Sequence, residues 1–264
     1  MKRTEKLTLL LIPLTFATYI VLSKLFLAEL YQSLLAWLAQ AEAAYFLAYA
    51  LIGLPMVIAI GVIQRGQFAE SVGFNRNLPK GLGLAFLMAL PMLIGYAMFF
   101  TFNHEITWQK IVRGAVLAGF FEEVYFRVFF FGLMFRYTRL GFFPALLAGA
   151  LIFASLHLYQ SNDPAVMSGI FLTTLLGAGF FAWLYVEWDY NVWLIVGLHL
   201  FMNLFWMLFD AGENALGGTL ANVFRVITIA VAIGGTLIYK FKLKRPVSVN
   251  RRTLWLKQTG RNEL

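Results

Sequence analysis

Eight stretches of about twenty mostly apolar residues follow one another along this 264-residue chain, and they limit its fold more than any other feature. They lie at about 7–23, 43–63, 81–102, 111–135, 142–160, 165–186, 191–209 and 219–239. A bilayer crossing takes roughly 20 such residues in a helix. In lipid every backbone polar group needs an internal partner, so a run of that kind crosses as a helix. The sequence therefore predicts an all-α polytopic membrane protein, an eight-helix transmembrane bundle forming one membrane domain over 1–264. Composition agrees: 61% of residues are hydrophobic and 13% charged, against about 45–50% and 25% in a soluble domain. The absence of cysteine removes thiol nucleophiles, thiolate metal sites and a disulfide framework.

Charge placement gives the orientation. With eight spans both ends of the chain fall on one side. That side collects Lys2, Arg3 and Lys6, then Arg65, Arg76 and Lys80, then Arg136 and Arg139, and the basic tail from Lys240 to Arg261. The other side has only Lys110 and Arg113, with Glu29, Glu42, Glu105, Asp163, Asp210 and Glu213. By the positive-inside rule both termini are cytoplasmic. The net charge of +8 is thus a topology signal, and nucleic acid is excluded as a partner. The first span is read as an uncleaved anchor, since its apolar run exceeds that of a signal peptide and no small-x-small cleavage site follows. Leu27, Leu30, Tyr31, Leu34, Leu35 and Leu38 recur at helical spacing and predict an amphipathic helix in the outer interface.

The fourth span carries three charges within six residues, Glu122, Glu123 and Arg127. At roughly 2.5–3.5 kcal/mol each they cost about 8 kcal/mol before pairing, so they need a functional reason. Glu123 and Arg127 are i and i+4 and can pair. Glu122 is turned about 100° away and left open. His157 ends the fifth span, with Phe153 one turn earlier. His199 and Asn203 share a face of the seventh span. His104, beside Glu105, reads as solvated.

This set has the chemistry of amide hydrolysis. Glu122 with His157 can take a proton from water and return it to a leaving amine. His199 and Asn203 can donate to the oxyanion of a tetrahedral intermediate, each such donor being worth about 2.7–4 kcal/mol of barrier. Rival constellations are missing. After His104-Glu105 a zinc helix motif would need histidine where Trp108 stands, and no Gly-x-Ser-x-Gly elbow occurs. Ser155 is turned about 200° from His157. The small-residue pairs Ala145/Gly149 and Ala150/Ala154 are assigned close helix approach only.

Glu122-Glu123-x-x-x-Arg127, Phe153-x-x-x-His157 and His199-x-x-x-Asn203, in that order on successive spans, resemble the CPBP family of intramembrane proteases, also called Abi or CAAX-protease-like. The resemblance covers about 110–210, the expected catalytic core. It implies a helical bundle with an intramembrane catalytic cavity, Glu122 and His157 activating water, and His199 and Asn203 as the oxyanion hole. Glu123, Arg127 and Phe153 are supporting residues. Glu122, His157 and His199 also match a His₂Glu zinc set. No second carboxylate is seen for each histidine, and metal-free hydrolysis is the expectation. The implied substrate is a membrane-associated or lipid-modified peptide or protein, and the setting a prokaryotic plasma membrane; membrane lipid is the other partner. The oligomeric state is left open. Two other functions compete: a proton-coupled transporter, which would have paired broken helices or inverted repeats, and a non-catalytic scaffold or immunity protein. Counting along the fifth span puts His157 nearer the outer face than Glu122 and His199.

Overall fold

The computed structural model describes residues 3–257. Lys2 and Arg261, counted above among the basic ends, lie outside the described residues. The chain runs through α1 (Arg3–Leu38), α2 (Ala41–Ile52), α3 (Leu54–Gln64), α4 (Phe68–Val72) and α5 (Leu78–Phe99). Next come α6 (Trp108–Ile111), α7 (Ala118–Glu122) and α8 (Leu133–Tyr137), fused into one helical run by π-helical segments at Val112–Leu117 and Glu123–Gly132. α9 (Phe142–Ser155), α10 (Pro164–Glu187), α11 (Val192–Leu208) and α12 (Thr219–Lys242) complete the bundle. The one β-type pairing among the described residues is an isolated bridge, Leu140 to Leu256.

Side chains written into the loops start these helices. Asn77, Thr107, Asp163 and Asn191 each accept a hydrogen bond from a first-turn backbone N–H. That satisfies donors which lack a partner within the helix. Pro79 and Pro164 sit in the first turn, where no N–H is needed.

All eight apolar stretches are helical. Five helices are long and apolar enough to cross a membrane, and a sixth span results if α2 and α3, bent by 46°, count as one. The other two stretches are the charged run from Trp108 to Tyr137 and the 17-residue α11. The bend falls at Gly53, where an added Cβ would collide with the Tyr125 hydroxyl. It is the one broken span among the described residues, whereas a transporter of the kind considered above would carry a matching pair.

The expected interfacial helix is not a separate element. α1 continues without a break from Arg3 to Leu38, 36 residues, or about 54 Å at 1.5 Å per residue. After Pro13 the segment has neither proline nor glycine to stop it. The hydroxyls of Thr15 and Thr18 bond back to the Leu11 and Leu14 carbonyls within the helix.

The interior is apolar and aromatic: Phe16, Phe126, Phe130 and Phe153 pack around the central run. The exterior is apolar as well, with Leu10, Ile58, Leu87, Leu176 and Val226 all more than half exposed. A surface of that kind matches lipid rather than water.

Residues after α12 fold back as a strap beneath the bundle. The Thr253, Leu254 and Trp255 carbonyls accept from the Phe142, Phe143 and Gly141 N–H groups at 2.7, 3.0 and 2.7 Å, capping the start of α9. Glu187, fully buried, accepts from Lys240 and from the Ser248 and Val249 N–H groups at 3.0 and 2.8 Å. Near the other end of the chain, Glu5 accepts from the Arg139 N–H at 3.0 Å, so both ends meet at the α8–α9 turn. A Cβ on Gly141 would run into the backbone of Trp255. Gly141→Ala is therefore expected to lower stability by about 1–3 kcal/mol, an overpacking penalty. Thermal unfolding of the variant in detergent checks this.

Candidate active site

The fused run from Trp108 to Tyr137 lies at the centre of the bundle and packs against α1, α2, α9, α10 and α11. π-Helical turns are uncommon and collect at functional sites, and here two of them flank Glu122. The first segment contains Gly114, whose carbonyl accepts from Asn203 Nδ2 at 3.0 Å. Gly119 lets α11 lie directly on the run, because a Cβ there would stand 3.0 Å from the Leu200 nitrogen. That contact brings His199, the preceding residue, against the two glutamates.

Glu123 and Arg127 are sealed in, with side-chain exposures of 0% and 2%, whereas Glu122 is 30% exposed, His157 19% and His199 12%. The open carboxylate and the two open imidazoles face one another. His157 Nε2 is 3.9 Å and His199 Nε2 3.8 Å from the same atom, Glu122 Oε2. These gaps exceed a direct hydrogen bond and leave a point between three polar tips.

Each ring is held from behind. His157 Nδ1 donates to the Phe153 carbonyl at 2.8 Å, and the Phe153 ring lies 4.4 Å from the imidazole. His199 Nδ1 donates to Glu123 Oε1 at 2.7 Å. The other oxygen of Glu123 lies 3.5 Å from Arg127 Nε. The Arg127 guanidinium stacks 3.9 Å over the Phe153 ring. Phe153 thus touches both halves of the cluster.

The structure brings together Glu122, Glu123, Arg127, Phe153, His157 and His199. Asn203, one turn beyond His199, is tied to Gly114. His104 stacks on Phe102, apart from this group. The expected depth mismatch does not arise: α9 ends at Ser155, and His157 sits in the turn that follows, within 3.9 Å of Glu122.

The expectation that the histidines do not each have a carboxylate of their own holds for His157 and not for His199. Glu123 is a carboxylate behind His199, and a backbone carbonyl does the same work behind His157. These are the orienting partners of ligating or catalytic histidines alike. Two imidazoles and a carboxylate are suitable zinc donors in kind. Among the described residues no group of three or more His, Asp or Glu side chains is placed to hold a metal ion.

The sequence reading missed the tyrosines around the opening. Tyr19 on α1 and Tyr45 and Tyr49 on α2 lie within electrostatic reach of Glu122. The Tyr45 hydroxyl donates to that of Tyr49 at 3.2 Å, and the Tyr49 ring stacks on Phe121. The i, i+4 spacing of Tyr45 and Tyr49 was the available signal.

An all-helical, lipid-facing bundle with a carboxylate–histidine cluster at its centre defines a multi-pass membrane protein with the equipment of a hydrolase. Residues 103–205 match the family described as type II CAAX prenyl endopeptidase Rce1-like, and all seven residues of the three motifs fall inside that segment. The resemblance read from the motifs is thereby shown for this segment, which is under half of the chain and is similar to membrane proteases of the CAAX type. No curated protein and no solved structure matches the chain.

Proposed function

We propose that the protein is an intramembrane endopeptidase that hydrolyses a peptide bond near the lipid-modified end of a membrane-associated substrate, with prenylated CAAX-type proteins as the substrate class. The observation that carries this reading is the convergence of His157 Nε2 and His199 Nε2 on Glu122 Oε2. A water about 2.8 Å from each tip would fit the gap, with angles near 90° at its oxygen.

The hydrogen-bond partners divide the roles. In the proposed step His199, held on Glu123 through Nδ1, turns its Nε2 into the site as the donor. His157 gives its Nδ1 proton to the Phe153 carbonyl and presents a lone pair. Water then donates to Glu122 and His157 and accepts from His199. The Glu122 carboxylate takes one water proton as the oxygen bonds to the substrate carbonyl carbon. The oxyanion is met by His199 Nε2–H and by the second N–H of Asn203 Nδ2, the first being engaged on Gly114. Glu122 returns its proton to the leaving nitrogen as the C–N bond breaks.

This reading includes eight spans with both termini cytoplasmic in a prokaryotic plasma membrane, the catalytic core at 110–210, and no metal. Purified protein in detergent, given a farnesylated peptide ending in a CAAX sequence, is expected to release the C-terminal fragment. Cleavage is expected to continue after chelator treatment that leaves less than about 0.1 metal ion per chain, a level at which a catalytic zinc mechanism would stop. No cleavage by intact protein would reject the proteolytic reading. Activity that disappears with the metal and returns with zinc would reject the metal-free mechanism alone.

A further inference from the structure

A groove of about 180 Å³ lies between α5 and α12; Leu84, Leu87, Met88, Trp188, Val231 and Gly235 line it, and none of them belongs to the catalytic cluster. The stripes that form it are regular. On α5, Lys80, Leu84, Leu87 and Met88 follow one another at helical spacing. On α12, Val231, Gly235, Tyr239 and Lys242 do the same. The helices run antiparallel, so the start of α5 meets the end of α12, and Lys80 Nζ stands 5.7 Å above the Tyr239 ring.

Charge and polarity are graded along the groove. Lys80 and Lys242 are exposed at the rim, at the end where the strap and the basic tail lie. Tyr239 and Trp188 stack below them at 4.7 Å, and the Trp188 N–H donates to Thr236 at 2.8 Å. Tyr and Trp are the residues of the membrane–water boundary. Beneath lies an apolar slot, and Met88 is about 12 Å along α5 from Lys80 at 1.5 Å per residue. Gly235 borders open space, since a Cβ there meets nothing within 4 Å. Cation, aromatic boundary and apolar trough, in that order, repeat the layout of one phospholipid.

We infer that this groove seats an anionic phospholipid, its phosphate on Lys80 and Lys242 and one acyl chain in the slot over Gly235. Basic pockets between membrane helices on the cytoplasmic side bind acidic headgroups in this manner. The inference does not depend on the protease reading, and its test involves no cleavage.

Native mass spectrometry of the purified full-length chain, with phosphatidylglycerol or phosphatidylcholine of identical chains at equal concentration, is the experiment. Phosphatidylglycerol is expected to be retained about fivefold or more over phosphatidylcholine, as a lysine at an acidic headgroup implies. The double variant Lys80→Gln/Lys242→Gln, at two exposed positions, should bring the two lipids within about twofold of each other. Gly235→Leu, which fills open space, should reduce retention of both. Equal retention of the lipids by the unaltered chain would overturn the inference. So would undiminished phosphatidylglycerol binding in Gly235→Leu, or displacement of the lipid by glycerol phosphate, which lacks acyl chains.

Discussion

Glu122→Gln is expected to reduce cleavage of a prenylated peptide by about a thousandfold or more while leaving helix content and unfolding temperature as they were. General-base catalysis by a placed carboxylate contributes about 10²–10⁴, and here the same group also returns the proton to the leaving amine. The amide keeps the shape of the side chain but removes the basic oxygen. Glu122 donates to nothing and pairs with nothing at hydrogen-bond distance, being 3.8 and 3.9 Å from its histidines. Its change to an amide therefore breaks no hydrogen bond. Single-turnover kinetics with circular dichroism in detergent check both halves. An active Glu122→Gln would remove the mechanism, and an unfolded one would mean that Glu122 also has a structural duty that the geometry does not indicate.

The second large effect belongs to Arg127. Glu123 is completely buried; His199 donates to one of its oxygens at 2.7 Å, and Arg127, 3.5 Å from the other, is the permanent charge beside it. Arg127→Met removes that charge and leaves the carboxylate without its counter-ion away from water. Breaking one side of a buried pair costs about 3–5 kcal/mol. Replacing both sides by neutral groups of similar volume is often nearly neutral. The double variant Glu123→Gln/Arg127→Met is therefore expected to recover most of the loss in unfolding temperature, and to recover none of the activity. Without the Glu123 carboxylate His199 loses the partner that orients its ring. A single variant within about 0.5 kcal/mol of the parent, the range of an ordinary surface change, would show that the pair does not carry that load.

Much of the site was legible as spacing and little of it as local geometry. Glu123 and Arg127 pair, and Glu122 stays open, as the i, i+4 relation implied. His157 and His199 both reach the open carboxylate. The π-helical segments were not legible, because i→i+5 hydrogen bonding leaves no composition signature in a run as apolar as Val124 to Phe131. The Glu123–Arg127 contact at 3.5 Å, outside hydrogen-bond range, belongs to this wider winding, where residues four apart no longer stand one above the other. The mismatch in level between His157 and Glu122 came from counting each span by itself, whereas the structure puts the two side chains 3.9 Å apart. The link from His199 to Glu123 joins positions 76 apart in sequence, and only the close approach at Gly119 makes it. The all-helical membrane class followed directly from the long apolar runs. The continuity of α1 could have been read from the absence of glycine and proline between Pro13 and Leu38.

The strap under α9 bears on how such a molecule is born. Thr253, Leu254 and Trp255 close the first turn of a helix that left the ribosome about 110 residues before them. The far end of that helix delivers His157. A nascent chain halted anywhere short of Thr253 would hold every motif in the bilayer and still lack the anchor that fixes one of them.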